Sequence, residues 1–142
     1  MKYFYLEPEV SGGLGDNTVM DSSVHPPIVT RLHYEFDGWL GDVIVTSFPC
    51  YLVTEDVKEK ILKDGFSGVR FDKVEVTTSE LFEEMQPDLE LPPFVWLKVD
   101  GEAGHDDFGL AEDHRLVVSE SVLDVLRPLG ISNALVEPFQ AP

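Results

Sequence analysis

Residues 51–76 read YLVTEDVKEKILKDGFSGVRFDKVEV, and their grammar is that of a strand, a capped helix and a second strand. Tyr51-Leu52-Val53 is an apolar strand end. Thr54 follows as an N-cap, and Glu55 and Asp56 stand in the first turn, where the helix dipole favours negative charge. Val57, Ile61 and Leu62 form one apolar face, Lys58, Lys60 and Lys63 lie toward the C-terminal half, and Gly65 supplies the left-handed stop. Beyond it Val69, Phe71 and Lys73 alternate with Arg70 and Asp72 in a strand running to Val76.

The same grammar returns later in the chain. Val117-Val118 is a strand end, Ser119 the cap, Val122, Val125, Leu126 and Leu129 the apolar face, Gly130 the stop, and Ala134–Val136 the next strand. Registering Thr54 on Ser119 without a gap pairs Val53 with Val118, Val57 with Val122, Ile61 with Leu126, Gly65 with Gly130, Ser67 with Ser132 and Phe71 with Val136. Capping rules alone explain the cap and the glycine but not the matched serines and strand positions, which points to a weak internal duplication. Two copies are too few for a solenoid. They suit an α+β domain spanning 1–142: one mixed or mostly antiparallel sheet with two main helices on one face, built from two weakly similar strand–helix–strand units.

Other segments fit around these units. Tyr3 and Tyr5 lie in a short strand that Pro8 ends, and Ile28–Phe36 alternates as one half-buried strand closed by the Asp37-Gly38 turn. Val43-Ile44-Val45 is another apolar run. Ser79 caps a short helix through Met85 that Pro87 ends, and Phe94–Val99 reads as a buried strand. The glycines of Ser11-Gly12-Gly13-Leu14-Gly15-Asp16-Asn17 read as a mobile loop, because they lack the phosphate-binding spacing and no helical pattern follows.

Charge is the informative total. The chain of 142 residues carries ten Lys and Arg against 27 Asp and Glu, a net −17. Solubility alone needs a magnitude of only ~2–8 on a small domain. Such a chain repels nucleic acid and anionic membranes and attracts basic surfaces. No apolar stretch is long enough for a membrane-spanning helix, and Glu7 and Glu9 interrupt the run a signal peptide would need. The single cysteine, Cys50, cannot form an internal disulfide, so a reducing, cytoplasmic setting is expected.

No nucleophile announces itself: there is no G-x-S-x-G, and Cys50 has no activating neighbour in sequence. The segment DGEAGHDDFGLAED (100–113) with the following His114 is a long polar loop, and such loops often carry function. Its Asp100, Glu102, Asp106, Asp107, Glu112, Asp113 and His114 form a negative docking surface in which carboxylates meet Lys and Arg of a partner. Trp39, between Gly38 and Gly41, is either a core residue or an exposed anchor for that partner. The alternative is a metal-assisted enzyme using His105, Asp106, Asp107 and His114, although the histidines stand nine positions apart and no known metal spacing is present. A third reading is an interaction domain, such as a homodimer, whose charge serves solubility.

Four stretches together, LHYEFDGWLGD (32–42), residues 48–76, ELPPFVWLKV (90–99) and DDFGLAEDHRLVVSESVLDVLRPLGISNALVEPF (106–139), carry a resemblance. The last is similar to the C-terminal segment of a family of bacterial immunity proteins from polymorphic-toxin systems. The likeness falls on Asp106, Asp107, Leu116, Val117, Val118, Ser119, Glu120, Val125, Leu126 and Gly130, and the residues 11–15 lie outside it. The resemblance implies a cytoplasmic inhibitor that occludes a cognate toxin domain, and with no catalytic motif in the chain neither catalytic residues nor a cofactor are expected. This agrees with the charge, because a nuclease toxin is basic in order to hold phosphates.

Overall fold

The computed structural model describes residues 2–140. Among them the chain forms β1 (Tyr3–Glu7), β2 (Gly12–Leu14), β3 (Val19–Asp21), β4 (Ile28–Arg31), β5 (His33–Phe36), β6 (Ile44–Ser47), β7 (Cys50–Thr54), α1 (Glu55–Asp64), β8 (Val69–Asp72), β9 (Glu75–Thr78), α2 (Glu80–Met85), β10 (Phe94–Val99), β11 (Phe108–Leu110), β12 (Leu116–Ser119), α3 (Glu120–Leu129) and β13 (Leu135–Phe139). No helix among the described residues is long and apolar enough to cross a membrane.

The expected single sheet with two helices on one face is overturned. Among the described residues the strands form four sheets, ordered β11-β12-β1-β13, β6-β7-β10-β8, β2-β5-β9 and β3-β4, with three helices. Each strand–helix–strand unit carries its own four-stranded sheet. In the first unit β10 pairs antiparallel with both β7 and β8, so the two strands joined by α1 run parallel with a third strand inserted between them. In the second, β1 is inserted in the same way between β12 and β13, around α3. The registers agree: Trp96 faces Leu52 and Asp72, while Tyr5 faces Val117 and Glu137. A sequence pattern cannot foresee this, because each inserted strand comes from outside its unit.

Local chemistry shapes both units alike. The Thr54 hydroxyl accepts from the Val57 N–H and the Ser119 hydroxyl from the Val122 N–H. Gly65 and Gly130 end the helices at φ of 69° and 121°, where a side chain would be strained. The principal core lies among α1, α3 and one face of each large sheet, with Leu6, Ile44, Val53, Val57, Ile61, Leu97, Phe108, Val118, Val122 and Leu126 buried together. The other face of β6-β7-β10-β8 buries Cys50, Leu52, Phe94 and Trp96 against Tyr34, Phe36 and Phe82. Burial on both faces accounts for the nearly unbroken apolar run of Phe94–Val99.

Two runs read as single strands are divided between sheets. Ile28–Phe36 breaks at Leu32, with β4 on β3 and β5 on β2 and β9. Val69–Val76 breaks after Asp72, whose carboxylate accepts the Lys73 N–H at 2.8 Å, and β9 leaves to run parallel to β5. A period of two reports which face is buried and says nothing about which neighbour supplies the hydrogen bonds. The glycine segment is also corrected: Gly12–Leu14 is a paired strand rather than a mobile loop, and a Cβ on Gly12 would collide with the Glu35 carbonyl.

Candidate partner-binding groove

The polar loop is more structured than its composition indicates, because β11 lies within it and Glu102 bridges to Leu110. Several of its carboxylates are engaged within the chain. Asp106 accepts the Glu102 N–H at 2.8 Å, which closes a turn and holds its carboxyl below the usual range. Asp107 joins the two units: it accepts the Ser67 N–H at 3.0 Å and the Ser119 hydroxyl at 2.9 Å. Its counterpart Asp42, 1% exposed, accepts the N–H and the side-chain amide of Asn133, both at 2.9 Å. Each unit thus offers a carboxylate to the helix-exit loop of the other. Asp100 faces Arg70 at 3.3 Å, and Asp113 takes the Arg115 Nε–H at 2.7 Å, which lowers its pKa. Glu102 and Glu112 are exposed, and their carboxylates meet no cation among the described residues.

Trp39 is half-buried and built into the fold. Its indole N–H donates to the Asp42 carbonyl at 2.8 Å, and its ring stands edge-to-face with Phe94, the ring centroids 5.9 Å apart. Gln86 clamps its backbone from both sides. The exposed side chain is the next one, Leu40. The buried Glu9 carboxylate accepts the Leu40 N–H at 2.9 Å and a bond from the Ser11 hydroxyl, and Gly41 turns the chain at φ of 105°. Leu40 is therefore presented outward on a braced turn.

Leu40 borders a groove of about 660 Å³ between the β6–β7 turn and the sheet that contains β1 and β13. Four apolar side chains stand open along it: Leu40 at 71% exposure, Val10 at 69%, Leu135 at 62% and Phe48 at 53%. Glu7, Glu9, Asp113, His114 and the Arg115 that pairs with Asp113 line the same groove. Asp113 also lines an adjoining hollow of about 410 Å³ that contains Glu102, Glu112 and Phe139. Of the anticipated site residues, Glu102, Glu112, Asp113 and His114 thus gather on one concave region. Asp100, Asp106, Asp107 and Trp39 are held by partners within the chain. The apolar members were not singled out in the sequence, because Val10, Leu40, Phe48 and Leu135 lie in four separate segments and no periodicity links them.

Among the described residues no three His, Cys, Asp or Glu side chains converge as a metal would require. Cys50 is buried, and desolvation pushes its thiol up to about 12, the opposite of nucleophile activation. Comparison with models of known protein families, with curated proteins and with solved structures finds no match to this chain.

Proposed function

We propose that the chain is a non-catalytic binding protein that neutralises a cognate, basic toxin domain by occluding it, in the manner of the immunity proteins its C-terminal segment resembles. The observation that carries the reading is the groove: four open apolar side chains in one concavity, bordered by carboxylates, on a chain of net charge −17. Contiguous exposed apolar surface rimmed by polar groups marks an interaction site. Leu40 and Phe48 serve as anchors, since binding energy concentrates in a few well-desolvated side chains. Glu102 and Glu112, which meet no cation among the described residues, steer a cationic surface toward them, which acts chiefly on association rate and partner choice.

The test is calorimetry with the toxin domain encoded beside this chain. Leu40→Asp with Phe48→Asp is expected to weaken binding by ~100-fold or more. Glu102→Gln with Glu112→Gln is expected to slow association and flatten its salt dependence while dissociation changes little. Tight binding that survives the Leu40→Asp/Phe48→Asp pair unchanged would remove the groove from the interface.

A further inference from the structure

Beyond the groove, on the other side of Phe48, lies a hollow of about 190 Å³ between the tip of the β3–β4 arm and the sheet face that carries Trp96. Its lining inverts the character of the molecule. Both hollows of the groove contain carboxylates, whereas this one has none and is lined by Arg70, Lys98 and His114. Lys98 and Arg70 are direct cross-strand partners on β10 and β8, so both side chains lie on one face. The Lys98 ammonium sits 4.4 Å from the centre of the Trp96 ring, and its side chain is only 21% exposed. Cys50 and Tyr51, which also line the hollow, have their pKa values pushed up to about 12 by burial and stay neutral at pH 7.

We propose that this hollow binds a small organic anion, a carboxylate carried on a flat apolar ring. The ring rests beneath the apolar roof of Pro26, Pro27 and Phe48, beside the Lys98 ammonium that covers Trp96, and the carboxylate meets Arg70 and Lys98. Size agrees with the class: an apolar cavity of ~150 Å³ admits benzene, so this one admits a ring with one small substituent. Charge agrees as well. Arg70 approaches Asp100 through its Nε at 3.3 Å in a pair exposed on both sides, and its guanidinium makes no hydrogen bond to a described residue. Lys98 meets Asp72 at 3.6 Å across an exposed carboxylate, and an exposed pair of that kind is weak enough to share its cation with a ligand. A planar fork beside an ammonium suits a carboxylate.

The experiment is an NMR titration of the full chain with sodium benzoate, benzamide and sodium acetate, followed at the two indole N–H resonances. Benzoate is expected to shift the Trp96 signal saturably with a Kd of about 10 mM or tighter, while Trp39 stays still as an internal control. Benzamide lacks the charge and acetate the ring, and each is expected to bind at least ~10-fold more weakly. Lys98→Met and Arg70→Gln are each expected to weaken benzoate by about 10-fold. If Lys98→Met disturbs the fold, Arg70→Gln, whose parent side chain is 62% exposed, carries the comparison. The absence of a saturable Trp96 shift, equal binding of benzamide, or unchanged benzoate binding in Arg70→Gln would overturn the proposal.

Discussion

Asp107→Ala separates a structural carboxylate from a binding one. In the sequence Asp107 stands in the acidic loop and reads as part of a docking surface. In the structure its oxygens are engaged within the chain, taking the Ser67 N–H at 3.0 Å and the Ser119 hydroxyl at 2.9 Å, with a longer contact from the Ser67 hydroxyl at 3.4 Å. Hydrogen bonds to a charged acceptor contribute ~1.5–3 kcal/mol each. Two good bonds at the low end of that range, discounted for partial exposure, give about 2 kcal/mol, near 30-fold in the folding equilibrium. For a chain of this size the melting temperature should fall by roughly 6–8 °C. Urea unfolding should show a lower midpoint at an unchanged slope, because the same surface is exposed on unfolding. Asp42→Ala should be harsher, about 3 kcal/mol, since Asp42 is buried and both its oxygens are bonded to Asn133. Affinity for the partner, measured where the Asp107→Ala protein is folded, should stay within about threefold. A stability loss under ~0.5 kcal/mol, or a tenfold loss of affinity with stability intact, would refute the reasoning and return this carboxylate to the interface.

Two further outcomes follow from burial. Tyr34, Tyr51 and Cys50 are each pushed up to about 12 by desolvation, from ordinary values of 10.0, 10.0 and 9.0. Because the protonated, neutral form is the one the fold favours, their contribution is complete below about pH 8 for the thiol and about pH 9 for the tyrosines and is lost as pH rises toward 12, on the order of 3 kcal/mol per group. Tyr34→Phe should remove part of that slope between pH 10 and 12 in a denaturant series, and a stability that is flat from pH 8 to about 11.5 would count against it. Gly12→Ala should destabilise by about 2 kcal/mol or more, because the new methyl meets the Glu35 carbonyl in β5; an unchanged melting curve would show that β2 can move aside.

How much was legible beforehand follows from the range over which each signal acts. Thr54, Ser119, Gly65 and Gly130 declare α1 and α3 because capping is decided within four residues, and the spacing of Val57 and Ile61 or of Val122 and Leu126 declares their buried faces. The repeated register between the two units is read from these local signals together with the matched Ser67 and Ser132 and the matched strand positions. The pairing of strands does not. β10 enters the sheet of α1, and β1, from the far end of the chain, enters the sheet of α3, while the breaks at Leu32 and after Asp72 send adjacent residues to different neighbours. Backbone hydrogen bonds are the same for every residue type, so the side-chain pattern carries the burial of a strand and leaves its partner open.

The same division holds at the surface. Composition alone determined the large negative charge and hence the sign of an attractive partner, since charge adds up without reference to shape. Which carboxylates remain available was settled by tertiary contacts: Asp106 and Asp107 are taken up by backbone and hydroxyl donors of the chain, and Glu102 and Glu112 are not. The apolar groove exists only because folding brings Val10, Leu40, Phe48 and Leu135 to one place, and the cationic hollow only because β8 and β10 set Arg70 beside Lys98. Proximity between residues distant in sequence is a property of the packed chain, and that is where both proposed sites arise.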